Sequence, residues 1–280
     1  MKLEIAINKA YKQLKKNNIK SALLDSELLM SKAISKGREF IILNLKKEIN
    51  KNDYQNFQKL IYERSKGKPL AYLTGSKSFW KYEFDINEHV LIPRPDTEII
   101  IEKVLNIYKN RNKINFLDIG VGSGCILLSI LKERKDFLAT GIDISDHALK
   151  ICNTNAFKLG VNNRVKLFKS DVDNFSNGKY DLIISNPPYI KKLDLKYLEK
   201  DVQNFEPKLA LDGGLDGLSV IRKVIKKSSD LLKKNGKFIL EIGFDQKNKV
   251  IKLLNNKGFY INSTVKDLAK NDRCIVSTKI

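Results

Sequence analysis

Two short stretches hold residue types that could do chemistry together. The first is Asn186-Pro187-Pro188-Tyr189, directly after the apolar run YDLIIS. Successive prolines stop a strand, stiffen the backbone and remove two N–H donors. The result is a rigid turn with an amide side chain at its base. Amide nitrogens and amino groups on aromatic rings are poor nucleophiles, because their lone pair is delocalised. The Asn186 side-chain oxygen and the Pro187 carbonyl can each accept one N–H of such an –NH2 group, biasing the nitrogen towards a pyramidal geometry. This is catalysis by positioning and preorganised acceptors. Tyr189 is expected to stack on a planar target. No general base is needed, because the proton becomes acidic once the nitrogen is alkylated. Neither His89 nor His147 is near this turn in sequence. Taken alone, the same residues also fit a strand-terminating turn with a buried tyrosine.

The second stretch is Asp118-Ile119-Gly120-Val121-Gly122-Ser123-Gly124, which follows a short apolar strand and opens a helix. Glycines let the backbone approach a ligand closely, and the helix start presents free N–H groups. The spacing is G-x-G-x-G rather than the G-x-G-x-x-G of a dinucleotide site. An acidic residue beside a pyrophosphate would be repelled, whereas Asp118 suits a ligand carrying a positive amino group. That favours S-adenosylmethionine, with its ammonium and sulfonium. The next strand ends at Asp143, 23 residues after Gly120. An Asp there can accept hydrogen bonds from both ribose hydroxyls. The third strand runs into Ser170-Asp171-Val172, where an adenine amino group could meet a carboxylate and an apolar wall. An ordinary tight turn with Asp143 as a helix cap is the alternative. Three such features at successive strand ends favour a cofactor site.

These residues need a scaffold. Strand and helix patterns alternate from about residue 94, which predicts an α/β domain with a mostly parallel sheet covered on both faces. INFLDIG, LATGIDI, VKLFKS, YDLIIS and KFILEIG read as strands. GCILLSILKER and SDHALKICNTNAFKLG, capped by Ser145, read as helices, and LSVIRKVIKKSSDLLKKNG reads as a long helix stopped by Gly236. Residues 1–75 read as a helical domain. Its best segment is NDYQNFQKLIYERSKGKP, capped by Asn52 or Asp53 and ended by Gly67 and Pro69; a second helix spans DSELLMSKAIS. Between them, in SFWKYEFDINEHVLIP (residues 76–93 as a linker), Trp80, Tyr82, Phe84 and Ile86 alternate with polar residues. A β-hairpin turning at Asn87-Glu88 is expected.

The chain has 280 residues, 42% hydrophobic and 30% charged, a globular composition that excludes disordered and fibrous classes. Lys and Arg exceed Asp and Glu by 52 − 32 = +20. Residues 1–75 hold 16 basic and 7 acidic side chains, a net of +9. The excess fits an acidic partner and AT-biased coding equally well. No stretch approaches a membrane span, the N-terminus lacks a signal peptide's apolar block, and the three cysteines lie far apart without metal-ligand spacing. A reducing cytoplasm, no membrane and no metal are expected.

Asp118-x-Gly120-x-Gly122-x-Gly124 followed by Asn-Pro-Pro-Tyr resembles class I S-adenosylmethionine-dependent methyltransferases acting on planar –NH2 groups. The rest of the chain narrows this. Ile92-Pro93-Arg94-Pro95-Asp96-Thr97-Glu98, Glu206-Pro207 before Ala210-Leu211 and Asp216-Gly217-Leu218, Leu240-Glu241-Ile242-Gly243 with Gln246, and Asp267-Leu268 with Asp272-Arg273 are similar to the PrmC/HemK family, the peptide chain release factor N5-glutamine methyltransferases. The resemblance implies a Rossmann-like catalytic domain (94–280) with a seven-stranded sheet, and a small helical domain (1–75) that grips the substrate. It implies methyl transfer to the Gln of the Gly-Gly-Gln loop of bacterial class 1 release factors, leaving S-adenosylhomocysteine. By the same resemblance, Asp118, Gly120, Val121, Gly122, Ser123, Gly124, Asp143, Asp171, Val172 and Asn186 bind the cofactor. Asn186, Pro187, Pro188 and Tyr189 hold the substrate amide, with Asn186, Pro187 and Tyr189 as the catalytic set. Val172 stands where many members carry an aromatic residue. Arg94 and Glu98 fit helix-start charges and ligand contacts equally well.

Two rivals remain at this level. A nucleic-acid amino methyltransferase gains from the +20 charge, but the chain lacks a target-recognition insert and a basic stripe interleaved with aromatics. A non-catalytic S-adenosylmethionine binder is disfavoured by the intact Asn186–Tyr189 turn. Nothing in the sequence demands a dimer, so a monomer is expected.

Overall fold

The computed structural model describes all 280 residues, which divide into two compact units. The first comprises Met1–Ser76 together with Glu199–Phe205, and the second Lys77–Leu198 with Glu206–Ile280.

The first unit is helical: α1 (Leu3–Lys16), α2 (Ala22–Ile34), α3 (Arg38–Leu43), α4 (Lys51–Ser65) and α5 (Leu70–Thr74). Leu3, Ile7, Ala10 and Leu14 recur at helical spacing and form one buried face of α1. They share a core with Leu29 and Met30 of α2 and Phe57 and Ile61 of α4. The Asp25 carboxylate on α2 is buried and accepts from Arg64 Nε on α4 at 2.7 Å, which ties the two helices together. The cap of α4 differs from expectation. It is Asn50, whose side chain accepts from the Asp53 N–H at 2.8 Å. Starting two residues earlier lets Asp53 sit in the first turn, where its negative charge favours the helix dipole.

The second unit begins within a hairpin, β1 (Ser76–Phe79) and β2 (Tyr82–Asp85), whose first residue belongs to the first unit. Its turn is at Trp80-Lys81, not at Asn87-Glu88, and Trp80 has φ +56°. Phe79 and Phe84 are both buried and meet edge-on with ring centroids 6.2 Å apart, which sets the register. Trp80 leaves the alternation because its two N–H groups are claimed elsewhere. The backbone N–H donates to Glu98 at 2.7 Å and the indole N–H to Glu133 at 2.9 Å. Asn87 does turn the chain, accepting from His89 and Val90, but no strand follows.

The remaining elements are α6 (Glu98–Ile107), β3 (Asn115–Ile119), α7 (Cys125–Glu133), β4 (Leu138–Asp143), α8 (Asp146–Lys158), β5 (Val165–Lys169), β6 (Tyr180–Ser185), α9 (Lys200–Phe205, in the first unit), α10 (Ser219–Leu231), β7 (Leu232–Glu241), α11 (Lys247–Asn255), β8 (Phe259–Lys266) and β9 (Asp272–Lys279). The strands form a seven-stranded sheet in the order β5-β4-β3-β6-β7-β9-β8. The β5-β4-β3-β6-β7 ladder is parallel, and β9 pairs antiparallel with β7 and β8. All six residues of β6 are buried, as a strand covered on both faces requires. The strand order reverses between β3 and β6, the position where open α/β sheets bind ligands at their carboxyl ends.

α10 ends at Leu231, five residues before the expected stop at Gly236. Leu232 already pairs with Tyr180, and the next paired residue of β7 is Lys237 opposite Leu182. Residues 233–236 bulge out of that ladder, with Asn235 at φ +63°. Lys233 reaches back to the Asp181 carboxylate at 3.0 Å. Pairing of Leu232 with Tyr180 wins over continuation of the lysine-rich helix.

Candidate active site

A cavity of about 500 Å³ opens at the carboxyl ends of β3, β4 and β6. The Gly120–Ser123 loop, Asp143, Asp171, Val172, Asn186, Pro187 and Pro188 all line it. The structure therefore gathers most of the residues singled out in the sequence around one space. Three lie outside its lining: Asp118, Gly124 and Tyr189.

The loop glycines divide by role. Gly120 and Gly122 have φ of +81° and +55°, and a Cβ on either would meet nothing within 4 Å. That open space belongs to the cavity. Gly124 faces the interior, where a Cβ would sit 2.6 Å from Cys152 Sγ and 2.8 Å from Leu128 Cδ1. It packs α7 against α8 and lies outside the cavity lining. Asp143 shapes the loop from the neighbouring strand: one carboxylate oxygen accepts from the Gly122 N–H and the other from the Ser145 N–H, both at 2.9 Å. Each oxygen keeps a lone pair for a hydroxyl. Ser145 caps α8 as expected.

Asp118 does not line the cavity. Its carboxylate is buried beneath the loop, with Oδ1 lacking any hydrogen-bond partner. Burial, reinforced by the Asp143 charge, pushes its pKa up to about 7. An orphaned buried carboxylate is costly, and a nearby positive ligand would relieve it. Together with the open loop and the spare acceptors of Asp143, this donor and acceptor set fits S-adenosylmethionine.

Tyr189 is corrected more sharply. Its ring packs against the sheet core and its hydroxyl lies 3.3 Å from Glu241 Oε1 and 3.4 Å from Arg273 Nη1. Burial beside the Glu241 carboxylate holds the phenol well above its usual pKa. It anchors the turn rather than stacking on a target. The turn is pinned elsewhere too. Gln246 Nε2 donates to the Tyr189 carbonyl at 2.9 Å, Ser185 Oγ donates to the Ile119 carbonyl at 2.8 Å, and Asn186 Nδ2 lies 3.3 Å from Thr97 Oγ1. Thr97 Oγ1 donates to Glu241 Oε2 at 2.7 Å. Glu241 is 2% exposed, and burial raises its pKa to about 7.

The residues missed as site members are Thr97, Glu241, Arg273, Gln246 and Glu206; Arg94, open between a helix-start charge and a ligand contact, lines the cavity and pairs with Glu206. All five missed residues lie in segments that carry the family resemblance, but a hydrogen bond between distant side chains leaves no local signal of a role. Glu98 accepts from the Trp80 backbone and is not in the lining.

Residues 6–75 match the PrmC N-terminal domain and residues 96–258 match the Methyltransferase small domain. A release factor glutamine methyltransferase of Clostridium acetobutylicum is 38% identical over 100% of this chain and 99% of its own length. This chain belongs to the release factor glutamine methyltransferase family. It is an S-adenosylmethionine-dependent methyltransferase. A bifunctional methyltransferase of Rickettsia typhi is 34% identical over 96% of this chain, which spans 56% of that longer protein. Among solved structures, a methyltransferase from Pyrococcus furiosus has a TM-score of 0.53, 19% identity and coverage of 80% of this chain and 98% of its own; it shares the fold. No helix of this methyltransferase is long and apolar enough to cross a membrane.

Proposed function

We propose that this methyltransferase modifies the side-chain amide nitrogen of the glutamine in the Gly-Gly-Gln loop of class 1 peptide chain release factors. The observation that carries the reading is the fixed Asn186-Pro187-Pro188 turn, which lines the same cavity as Gly120 and Gly122. The bound cofactor supplies an electrophilic methyl on a sulfonium and leaves as S-adenosylhomocysteine. Everything else is positioning by this chain. Gly120, Val121, Gly122 and Ser123 cradle the cofactor's amino-acid end, Asp143 takes the ribose hydroxyls, and Asp171 with Val172 flanks the adenine. The Asn186 Oδ1 and the Pro187 carbonyl accept the two N–H groups of the target amide. As the new C–N bond forms, the nitrogen gives up one proton to water. Pro188 keeps the turn stiff, and Tyr189 contributes by holding it from behind.

In this reading the helical unit (1–75), with its net +9, holds the release factor, residues 76–93 are the linker and the methyltransferase acts as a cytoplasmic monomer. The test is transfer of labelled methyl from S-adenosylmethionine to a purified class 1 release factor and, in parallel, to total nucleic acid. Label on the Gly-Gly-Gln glutamine, absent from a Gln-to-Ala substrate and lost with Asn186→Ala at unchanged cofactor affinity, is expected. Label on RNA or DNA instead would overturn the reading.

A further inference from the structure

We propose that Glu241, acting through Thr97, fixes which way round the Asn186 amide sits, so that its oxygen and not its nitrogen faces the target. The inference rests on the functional reading above, in which Asn186 Oδ1 is an acceptor.

Hydrogen-bond polarity decides the orientation. A primary amide can turn over and exchange its oxygen for its NH2 at almost no steric cost. In the wrong orientation Asn186 would offer N–H groups to a target that itself offers N–H groups. An ionised carboxylate only accepts and a guanidinium only donates. These two groups bracket the network. Arg273 Nη1 lies 3.4 Å from the Tyr189 hydroxyl, so that oxygen accepts and its proton goes to Glu241 Oε1 at 3.3 Å. Thr97 has one hydroxyl proton, and it goes to Glu241 Oε2 at 2.7 Å. Towards Asn186 the Thr97 oxygen can then only accept. Asn186 must present Nδ2 to it, at 3.3 Å, leaving Oδ1 free. Arg273 is locked by the buried Asp267 at 2.9 Å, so the donor end of the network does not drift.

Protonated Glu241 could donate to Thr97 and release the Thr97 proton towards Asn186 Oδ1, reversing the chain. Its burial places that titration near neutral pH. The titratable or charged groups around it are Asp96, Tyr189, Arg273, Cys274 and Cys125. The two thiols are held neutral by burial, and Arg273 favours the charged form of Glu241.

Thr97→Val, Thr97→Ser and Glu241→Gln test the proposal in the full-length protein. With cofactor and release factor saturating, Thr97→Val is expected to lower kcat by about ten- to a hundredfold while cofactor affinity stays within about twofold. Thr97→Ser, which keeps the hydroxyl, should recover most of that loss. Glu241→Gln should lower kcat and abolish its fall below about pH 7. Equal activity of Thr97→Val and wild type, or failure of Thr97→Ser to rescue, would overturn the proposal. So would an acid limb in Glu241→Gln that is unchanged in position and depth from that of the wild type. The amide itself gives a readout that needs no substrate. The Asn186 Nδ2H2 pair in ¹H–¹⁵N spectra, assigned by its loss in Asn186→Ala, should show one shifted, exchange-protected proton in wild type and Thr97→Ser but not in Thr97→Val. If the spectra behave so and the wild type leaves release factor glutamine unmodified, the substrate reading has failed and the polarity relay stands. An unprotected amide in the wild type would sink the relay alone.

Discussion

The Arg94 guanidinium lies 2.6 Å from the Glu206 carboxylate, which also accepts from the Ile92 N–H at 3.3 Å. This joins the 90–94 segment to the Pro207–Asp212 segment, and both contribute to the cavity lining. Glu206 is 4% exposed, whereas the Arg94 side chain is 38% exposed. The pair is thus screened at one end only.

Arg94→Ala leaves Glu206 with one weak donor. A loss of about 1–3 kcal/mol of stability is expected, because a buried charged acceptor loses its strongest partner. Urea unfolding of wild type, Arg94→Ala, Glu206→Gln and Arg94→Ala/Glu206→Gln would measure it. The double variant should regain part of the loss, since it removes the unpaired charge. Additive losses would show that the pair is not coupled.

Gly122→Ala and Gly124→Ala should fail in different ways. At Gly122 the methyl enters open cavity, so the expected result is about 1–2 kcal/mol of strain from the positive φ together with weaker cofactor binding. At Gly124 the methyl collides with Cys152 and Leu128, so the larger stability loss is expected there, with overpacking of about 1–3 kcal/mol added to the same strain. Thermal melts with and without S-adenosylmethionine distinguish the two: ligand stabilisation should shrink more for Gly122→Ala.

Asp118 makes the ligand-free protein sensitive to pH. Its folded pKa, about 7, lies above the ordinary value of 3.8 because burial disfavours the charged form. The folded state therefore binds this proton more tightly than the unfolded chain. The associated stability is fully present below about pH 4 and is lost as pH rises to 7, at about 1.4 kcal/mol per pKa unit. Asp118→Asn is expected to be more stable than wild type at pH 8, with the difference vanishing near pH 4. A pH-independent difference would mean that the carboxyl is not charged at pH 8.

The +9 of residues 1–75 gives a kinetic prediction. If it steers the release factor, association slows as ionic strength rises while dissociation changes little. Stopped-flow binding at about 0.05 and 0.5 M salt would show several-fold slower association, since the screening length falls below about 5 Å. Salt-independent rates would return the charge to coding bias.

What the sequence determined by itself was local. The glycine loop, the strand-end Asp143 and Asp171 and the Asn186-Pro187-Pro188-Tyr189 turn are contiguous patterns whose backbone demands are written in a few neighbouring residues. The parallel sheet was legible because strands buried on both faces, such as YDLIIS with Leu182-Ile183-Ile184 at its centre, carry an apolar run rather than alternation. Tertiary structure decided the rest, because the deciding partners are far apart in the chain. Trp80 moves the hairpin turn because Glu98 and Glu133 claim its N–H groups. Leu232 leaves its helix because Tyr180 pairs with it across the sheet. Tyr189 turns inward because Glu241 and Arg273 wait there, 52 and 84 residues away. Thr97 meets Glu241 across 144 residues. Periodicity records which face of an element is buried, not which polar group waits on the other side. A hydrogen bond between two distant side chains leaves no local pattern, so the network that orients Asn186 appears only once the chain is folded.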